Sequence, residues 1–156
     1  KLAAGHYYLA MDLGQLARTK SIGALRIVEE MEKEFKIARL LDEKFDYGGS
    51  DRSLGMLYRD VPGWPTSIGS RAKARLHLQK AVELSPEYPG NHLELASAQR
   101  QFGDKRELQK SVEILRELLP AARSKFTGED WAAAWLDWNQ MWRDIEPAAE
   151  KQRQDK

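Results

Sequence analysis

The 156 residues suit one domain built around one continuous core. Hydrophobic residues make up 42% of the chain but are interspersed with charge, so no apolar run is long enough to cross a bilayer. Charged residues make up 31% and nearly cancel, to +1, which removes the basic excess of a nucleic-acid binder, while the absence of cysteine removes disulfides, thiolate metal sites and a cysteine nucleophile.

The chain opens on Lys1 inside an apolar-rich stretch, with neither an initiator methionine nor a signal-peptide pattern. This is read as a trimmed N-terminus, with any export signal or lipid-anchored cysteine lying upstream. Residues 3–18 carry Tyr7, Tyr8, Met11, Leu13 and Leu16, with Gly14 as a weak point, and predict a first helix. Residues 22–45 carry Ile22, Leu25, Val28, Met31, Phe35, Ala38, Leu41 and Phe45. Spacings of three and four over that length mark one face of a long helix, which Gly48-Gly49 is expected to stop. Pro/Gly punctuation then falls at 62–69, 86–90, Gly103, Pro120 and Gly128, leaving segments the size of helix-hairpin arms. Asp104 with Glu107, and Thr127 with Asp130, have the spacing of helix N-cap pairs. Arg71, Lys73, Arg75 and Lys80 share a segment with Glu83, and Lys105, Arg106 and Lys110 alternate with Asp104, Glu107 and Glu113; both read as solvated helix faces.

A repeat organises these segments. Ala74, Leu78, Ala81 and Pro86 recur as Leu108, Val112, Leu115 and Pro120, each 34 residues on, the period of a tetratricopeptide helix-turn-helix unit. Leu54-Gly55-Met56-Leu57-Tyr58 suits the first helix of one unit, and His92, Leu95, Ala96 and Gln99 that of the next. Leu54 and Leu95, however, are 41 residues apart, so the second helices keep register while the excess lies between Tyr58 and Ala74. That turn, Asp60 to Ser70, is long, holds two prolines and contains Trp64. It is expected to fold back over the helix running from about Arg52 to Val61. Trp64 then either covers Tyr58 and Leu54 as the wall of a groove, with Arg52 or Arg71 as a charged rim, or plugs the gap left by the long turn. Gly48, Gly49, Pro62, Gly63, Pro65 and Gly69 are the structural positions of the two loops. The last helix carries Trp131, Ala134, Trp135, Trp138, Met141, Trp142 and Ile145 as a narrow seam. The seam reads as a cap on the open end of a stack, or as a contact between copies of the chain.

The stretch Tyr47-Gly48-Gly49-Ser50-Asp51-Arg52-Ser53-Leu54-Gly55-Met56-Leu57-Tyr58, followed by Pro62-Gly63-Trp64-Pro65 and Ser67-Ile68-Gly69, resembles the T-component family of TRAP transporters. Lys80-Ala81-Val82-Glu83-Leu84-Ser85-Pro86 resembles ordinary tetratricopeptide sequence, and the likeness spans roughly residues 20–120. The resemblance implies an exported, often lipid-anchored helical-repeat scaffold that associates with a periplasmic substrate-binding protein in the uptake of solutes.

No catalytic or cofactor motif accompanies the repeat. His6, His77 and His92 are far apart and lack partners at metal-ligand spacing, so each is expected to satisfy a local hydrogen bond. Gly48-Gly49 has neither the lysine nor the preceding strand of a phosphate loop. The sequence therefore predicts an all-α solenoid of tetratricopeptide-like hairpins, forming a single domain over 1–146. The hairpins fall at about 3–45, 51–86 and 89–120, with a capping helix at 128–146 and a frayed polar tail at 147–156. The expected role is a non-enzymatic interaction scaffold and transport accessory in the bacterial periplasm, with no metal, cofactor, nucleic acid or membrane span. Its expected partners are a protein such as a periplasmic substrate-binding protein, and a second copy of the chain. The alternative is a binder of an apolar small molecule with a pocket under the 60–70 loop, and a cytoplasmic location is the alternative placement.

Overall fold

A computed structural model describes residues 2–19 and 24–154. Among the described residues the fold is all-helical, with no strand. The helices are α1 (Leu2–Thr19), α2 (Ala24–Leu41), α3 (Phe45–Asp60), α4 (Arg71–Leu84), α5 (Pro89–Phe102), α6 (Lys105–Ala122) and α7 (Ala132–Gln154), with a 3-10 turn at Glu129–Trp131. None of them is long and apolar enough to cross a membrane. Consecutive helices pair as hairpins: α1 with α2, α3 with α4, α5 with α6.

The chain falls into two compact units, Lys1–Ser85 and Pro86–Lys156. The reason lies in their cores. The first unit buries Tyr7, Val28, Phe35, Leu54, Tyr58 and Leu78 among α1 to α4. The second closes α7 over α5 and α6, around Leu93, Leu108, Leu115, Phe126, Trp138 and Ile145.

In the first unit, the face α1 turns inward is mostly small: Ala3, Tyr7 and Ala10 are buried, and Gly14 follows on the same stripe. Of the apolar residues that mark this helix in the sequence, Tyr8, Met11 and Leu16 are exposed. The stripe on α2 holds at Val28, Phe35 and Ala38, but Leu25 and Leu41 are exposed and Ile22 lies outside the described residues. The helix stops at Leu41, before the glycines. Asp42 ends it, because its side chain accepts from the Lys44 N–H at 3.0 Å and so offers the backbone a turn in place of another helical bond. Gly48-Gly49 therefore opens α3 and does not close α2. Asp46, Tyr47 and Gly48 are left-handed, with φ of 51°, 56° and 76°, and the regular part of α3 follows. Further along, Gly55 is where α3 and α4 approach most closely: a Cβ there would stand 2.5 Å from Leu78 Cγ and 3.0 Å from its backbone nitrogen.

The repeated positions are buried alike, Ala74, Leu78 and Ala81 on α4 and Leu108, Val112 and Leu115 on α6. The terminators differ from expectation. Pro86 follows the end of α4, but Pro120 sits inside α6, which runs on to Ala122. A proline so near a helix end forfeits one backbone bond and interrupts little beyond it. Asp104 is the N-cap of α6 yet its side chain makes no capping bond, and Thr127 is replaced as a cap by Gly128. The cap the sequence reading missed is Ser70, whose Oγ accepts from the Lys73 N–H at 3.3 Å at the start of α4.

Helix α7 also continues past Ile145 to Gln154, so the segment read as a frayed tail is helical through two more turns. Ala149 extends the buried stripe one turn beyond Ile145, and its carbonyl accepts from Gln109 Nε2 of α6 at 2.9 Å. That packing anchors the helix despite Pro147.

Candidate functional site

The residues singled out around the 60–70 loop do not form one site. Leu54 and Tyr58 are in the core of the first unit. Arg52 pairs with Asp46, Nη2 to Oδ2 at 2.5 Å, and faces the α1 side of α3. Arg71 is exposed at the start of α4. Trp64 is 89% exposed. An indole in that position neither lines a concavity nor plugs a gap, so both readings of Trp64 are corrected.

The loop explains why. It does not fold back over α3 but closes at its own neck, where Gly69 N–H donates to Pro62 O at 2.8 Å and Ser70 N–H to Tyr58 O at 2.9 Å. Thr66 and Ser67 both donate to Gly63 O, at 3.1 and 3.2 Å. The neck needs glycine at 69, since a Cβ would fall 2.1 Å from Val61 O. With its backbone donors spent locally, the loop stands off the C-terminal end of α3 as a compact excursion.

Tyr58 belongs instead to a polar ladder across α2, α3 and α4. Its hydroxyl donates to Glu32 Oε1 at 2.5 Å, its ring stacks on His77 with centroids 5.4 Å apart, and Lys73 Nζ lies 5.0 Å from the ring centre. Two turns along, the fully buried Asp51 accepts from Arg39 Nε at 2.8 Å and His77 Nδ1 at 2.6 Å. Burial pushes the Glu32 carboxyl up, but hydrogen bonds from Lys36 and Tyr58 and the charges of Lys36 and Lys73 outweigh it, holding Glu32 below the usual carboxylate range. Burial, then the Glu32 hydrogen bond and charge, push the Tyr58 hydroxyl well above its ordinary value. These groups satisfy one another and fix the register of three helices. The three histidines, expected to bond locally, mostly reach across helices: His6 Nδ1 to Glu34 at 2.5 Å, His77 to Asp51, and His92 Nε2 to Pro86 O at 2.7 Å. Among the described residues no cluster of three metal-ligating side chains occurs.

The second unit holds an open groove of about 560 Å³ between α6 and α7, lined by Leu115, Leu119, Trp135, Asn139, Trp142 and the rim pair Arg116–Glu146, together with Pro120 and Arg123. The seam on α7 builds it. Trp135 and Trp138 point into the unit and are buried, and Trp138 meets Tyr88 edge-on at 5.3 Å and Phe126 at 5.8 Å. Trp135 Nε1 donates to Phe126 O at 2.6 Å. Trp131 and Trp142 are only half-buried, Trp131 against Phe126 at 4.8 Å and Trp142 at the groove. The seam thus caps the α5–α6 hairpin with one side and leaves Trp142 as a groove wall with the other. The groove floor is Leu115 and Trp135; one end carries the Arg116–Glu146 ion pair at 3.1 Å, and the other carries Arg123. The heptad seam in the sequence signalled α7's inward face, but nothing in the sequence brought α6 residues 115–123 opposite it.

Compared with known proteins, the chain matches no family model and no curated protein. What fold and geometry define is a class: an all-α protein of helical hairpins, with a satisfied polar ladder in one unit and an open, aromatic-walled groove in the other.

Proposed function

We propose that this chain is a non-catalytic scaffold of tetratricopeptide-like hairpins that binds another protein, and that the α6–α7 groove of its second unit is the docking site. The observation that carries the reading is the groove itself. It offers a half-buried tryptophan and leucine over a buried Leu115–Trp135 floor, with arginines at the rim. Tryptophan and arginine around a desolvated centre are the composition of interaction hot spots. The 34-residue recurrence of buried positions on α4 and α6 supports the repeat assignment. The resemblance of residues 47–69 to the TRAP T-component sequence supplies the biological setting, an exported accessory subunit whose partner is a periplasmic substrate-binding protein.

The test is affinity capture from periplasmic extract with the wild-type chain and with Trp142→Ala, matched for helical signal. A polypeptide retained by the wild type and lost with Trp142→Ala is the expected result. Equal retention by both baits, or none by either, ends the assignment of the groove as the docking site.

A further inference from the structure

The groove has a direction and an uneven charge, and these restrict what it takes. Over the Leu115–Trp135 floor, its α6 side is built from residues 116, 119 and 120 with Arg123 just past the helix end, and its α7 side from 139, 142 and 146. Gln109 meets Ala149, Arg116 meets Glu146, and Arg123 meets Asn139 and Trp135, so the two helices run antiparallel. The trough between them is about 12 Å long on the α6 side, at about 1.5 Å per residue. Two parallel ridges with an apolar floor are the form that a third helix fills with one ridge of its own side chains.

At one end the positive charge is cancelled, because Arg116 Nε donates to Glu146 Oε1. At the other end it is not. The Arg123 guanidinium lies 4.1 Å from the centre of the Trp135 ring, and its Nη2 donates to the neutral Asn139 Oδ1 at 3.2 Å. No carboxylate lies within ion-pair reach of it among the described residues. The contact with the indole face and the Asn139 bond together restrain the guanidinium. The remaining N–H donors are thereby oriented before anything binds, so less side-chain entropy is lost when they meet an acceptor. A guanidinium edge held this way matches a carboxylate, which accepts two parallel N–H bonds. Leu119 lies one helical turn from Arg123, and the register set by the Arg116–Glu146 and Arg123–Asn139 pairs puts it across from Trp142, which also lines the groove.

We propose that the groove receives an amphipathic helix of the partner protein, which sets an apolar side chain between Leu119 and Trp142 and a carboxylate one turn further on against Arg123. The proposal rests on the reading of this groove as a docking site, and names what docks. A polyanion such as nucleic acid is disfavoured, since one uncompensated guanidinium in a groove that also carries Glu146 falls far short of the several phosphate contacts such binding uses.

The probes are stapled helical peptides that place leucine and glutamate at i,i+3 or i,i+4, each paired with a peptide carrying glutamine for glutamate. Binding to the full chain is read by fluorescence polarisation, and contact by the indole N–H resonance of Trp142. At least one glutamate peptide is expected to shift that resonance and to bind about tenfold or more tighter than its glutamine counterpart, as a charge-assisted pair requires. That preference is expected to vanish in Arg123→Gln and to survive in part in Arg123→Lys, which keeps the charge should the glutamine variant fold poorly. Equal binding of both members of every pair at the groove overturns the carboxylate recognition while leaving the groove a docking site. No binding by any peptide, or displacement by a duplex oligonucleotide, overturns the helix itself. The capture experiment with Trp142→Ala decides the parent reading separately.

Discussion

His92 is buried near the start of α5, and its Nε2 carries the proton, because the Pro86 carbonyl 2.7 Å away can only accept. Burial holds its pKa below the ordinary histidine value, against the smaller opposite pull of that carbonyl. The consequence for stability has a definite sign. Between about pH 6.5 and the depressed folded value, the unfolded chain binds a proton that the folded chain refuses, so stability is full above that window and falls as pH falls through it. Urea midpoints measured from pH 8 down to pH 5 should therefore decline less steeply in His92→Gln than in the wild type; equal slopes would show that burial of His92 is not felt. In the first unit, Asp46 and Tyr47 hold left-handed backbone that costs about 1–2 kcal/mol each. The Asp46 carboxylate is what the turn presents: it accepts from the Tyr7 hydroxyl at 2.8 Å and from Arg52, whose second nitrogen donates to the Asp46 carbonyl at 3.1 Å. Burial, reinforced by Asp46 and opposed by Arg52, pushes the Tyr7 hydroxyl up to about 12.

Among the elements, α7 has two roles on two faces. Trp138 is buried against Tyr88, Phe126, Trp131 and Trp135, and this cluster holds the helix over α5 and α6. Trp138→Ala should cost about 3–5 kcal/mol in denaturant unfolding, the range for a large buried aromatic. A neutral result in a monomer, accompanied by dissociation of an oligomer, would make the seam an interface between copies. Trp142 lies four residues further along, at the groove wall. The 60–70 excursion is the contrasting element: it closes through backbone bonds and leaves its tryptophan outside.

At the scale of the whole chain, each unit buries a core of its own, and substitutions placed in different units should be additive. Val28→Ala in the first unit and Val112→Ala in the second each remove most of a buried side chain, at about 2 kcal/mol apiece. They lie in different units, so the double variant should lose their sum to within about 0.5 kcal/mol in urea titration. A deviation well beyond that would show a core held in common.

Much of this was legible in the sequence, and for one reason. Helical periodicity and a fixed recurrence are local properties, set by which side of a helix must leave water. Hence the helical arms, the buried trio on α4 and on α6, and the inward face of α7 follow from the sequence alone. The boundaries did not, because Asp42 and Ser70 act through single hydrogen bonds that many equally placed residues do not make. Nor did the fate of Trp64, since two prolines and an aromatic residue in a long turn are equally compatible with docking back and with closing at a neck. A steric fact decided it: Gly69 lets the chain pass against Val61 O. The groove lies furthest from the sequence. Arg123 and Trp135 are twelve residues apart and Arg116 and Glu146 thirty, and each sits on a helix whose own pattern explains it. The sequence by itself determined the helices and the faces they bury, because burial is decided within each helix. Only the tertiary structure decided which side chains meet across α6 and α7 and which cation is left uncompensated, because those depend on the antiparallel register of two helices, fixed by packing and not by pattern.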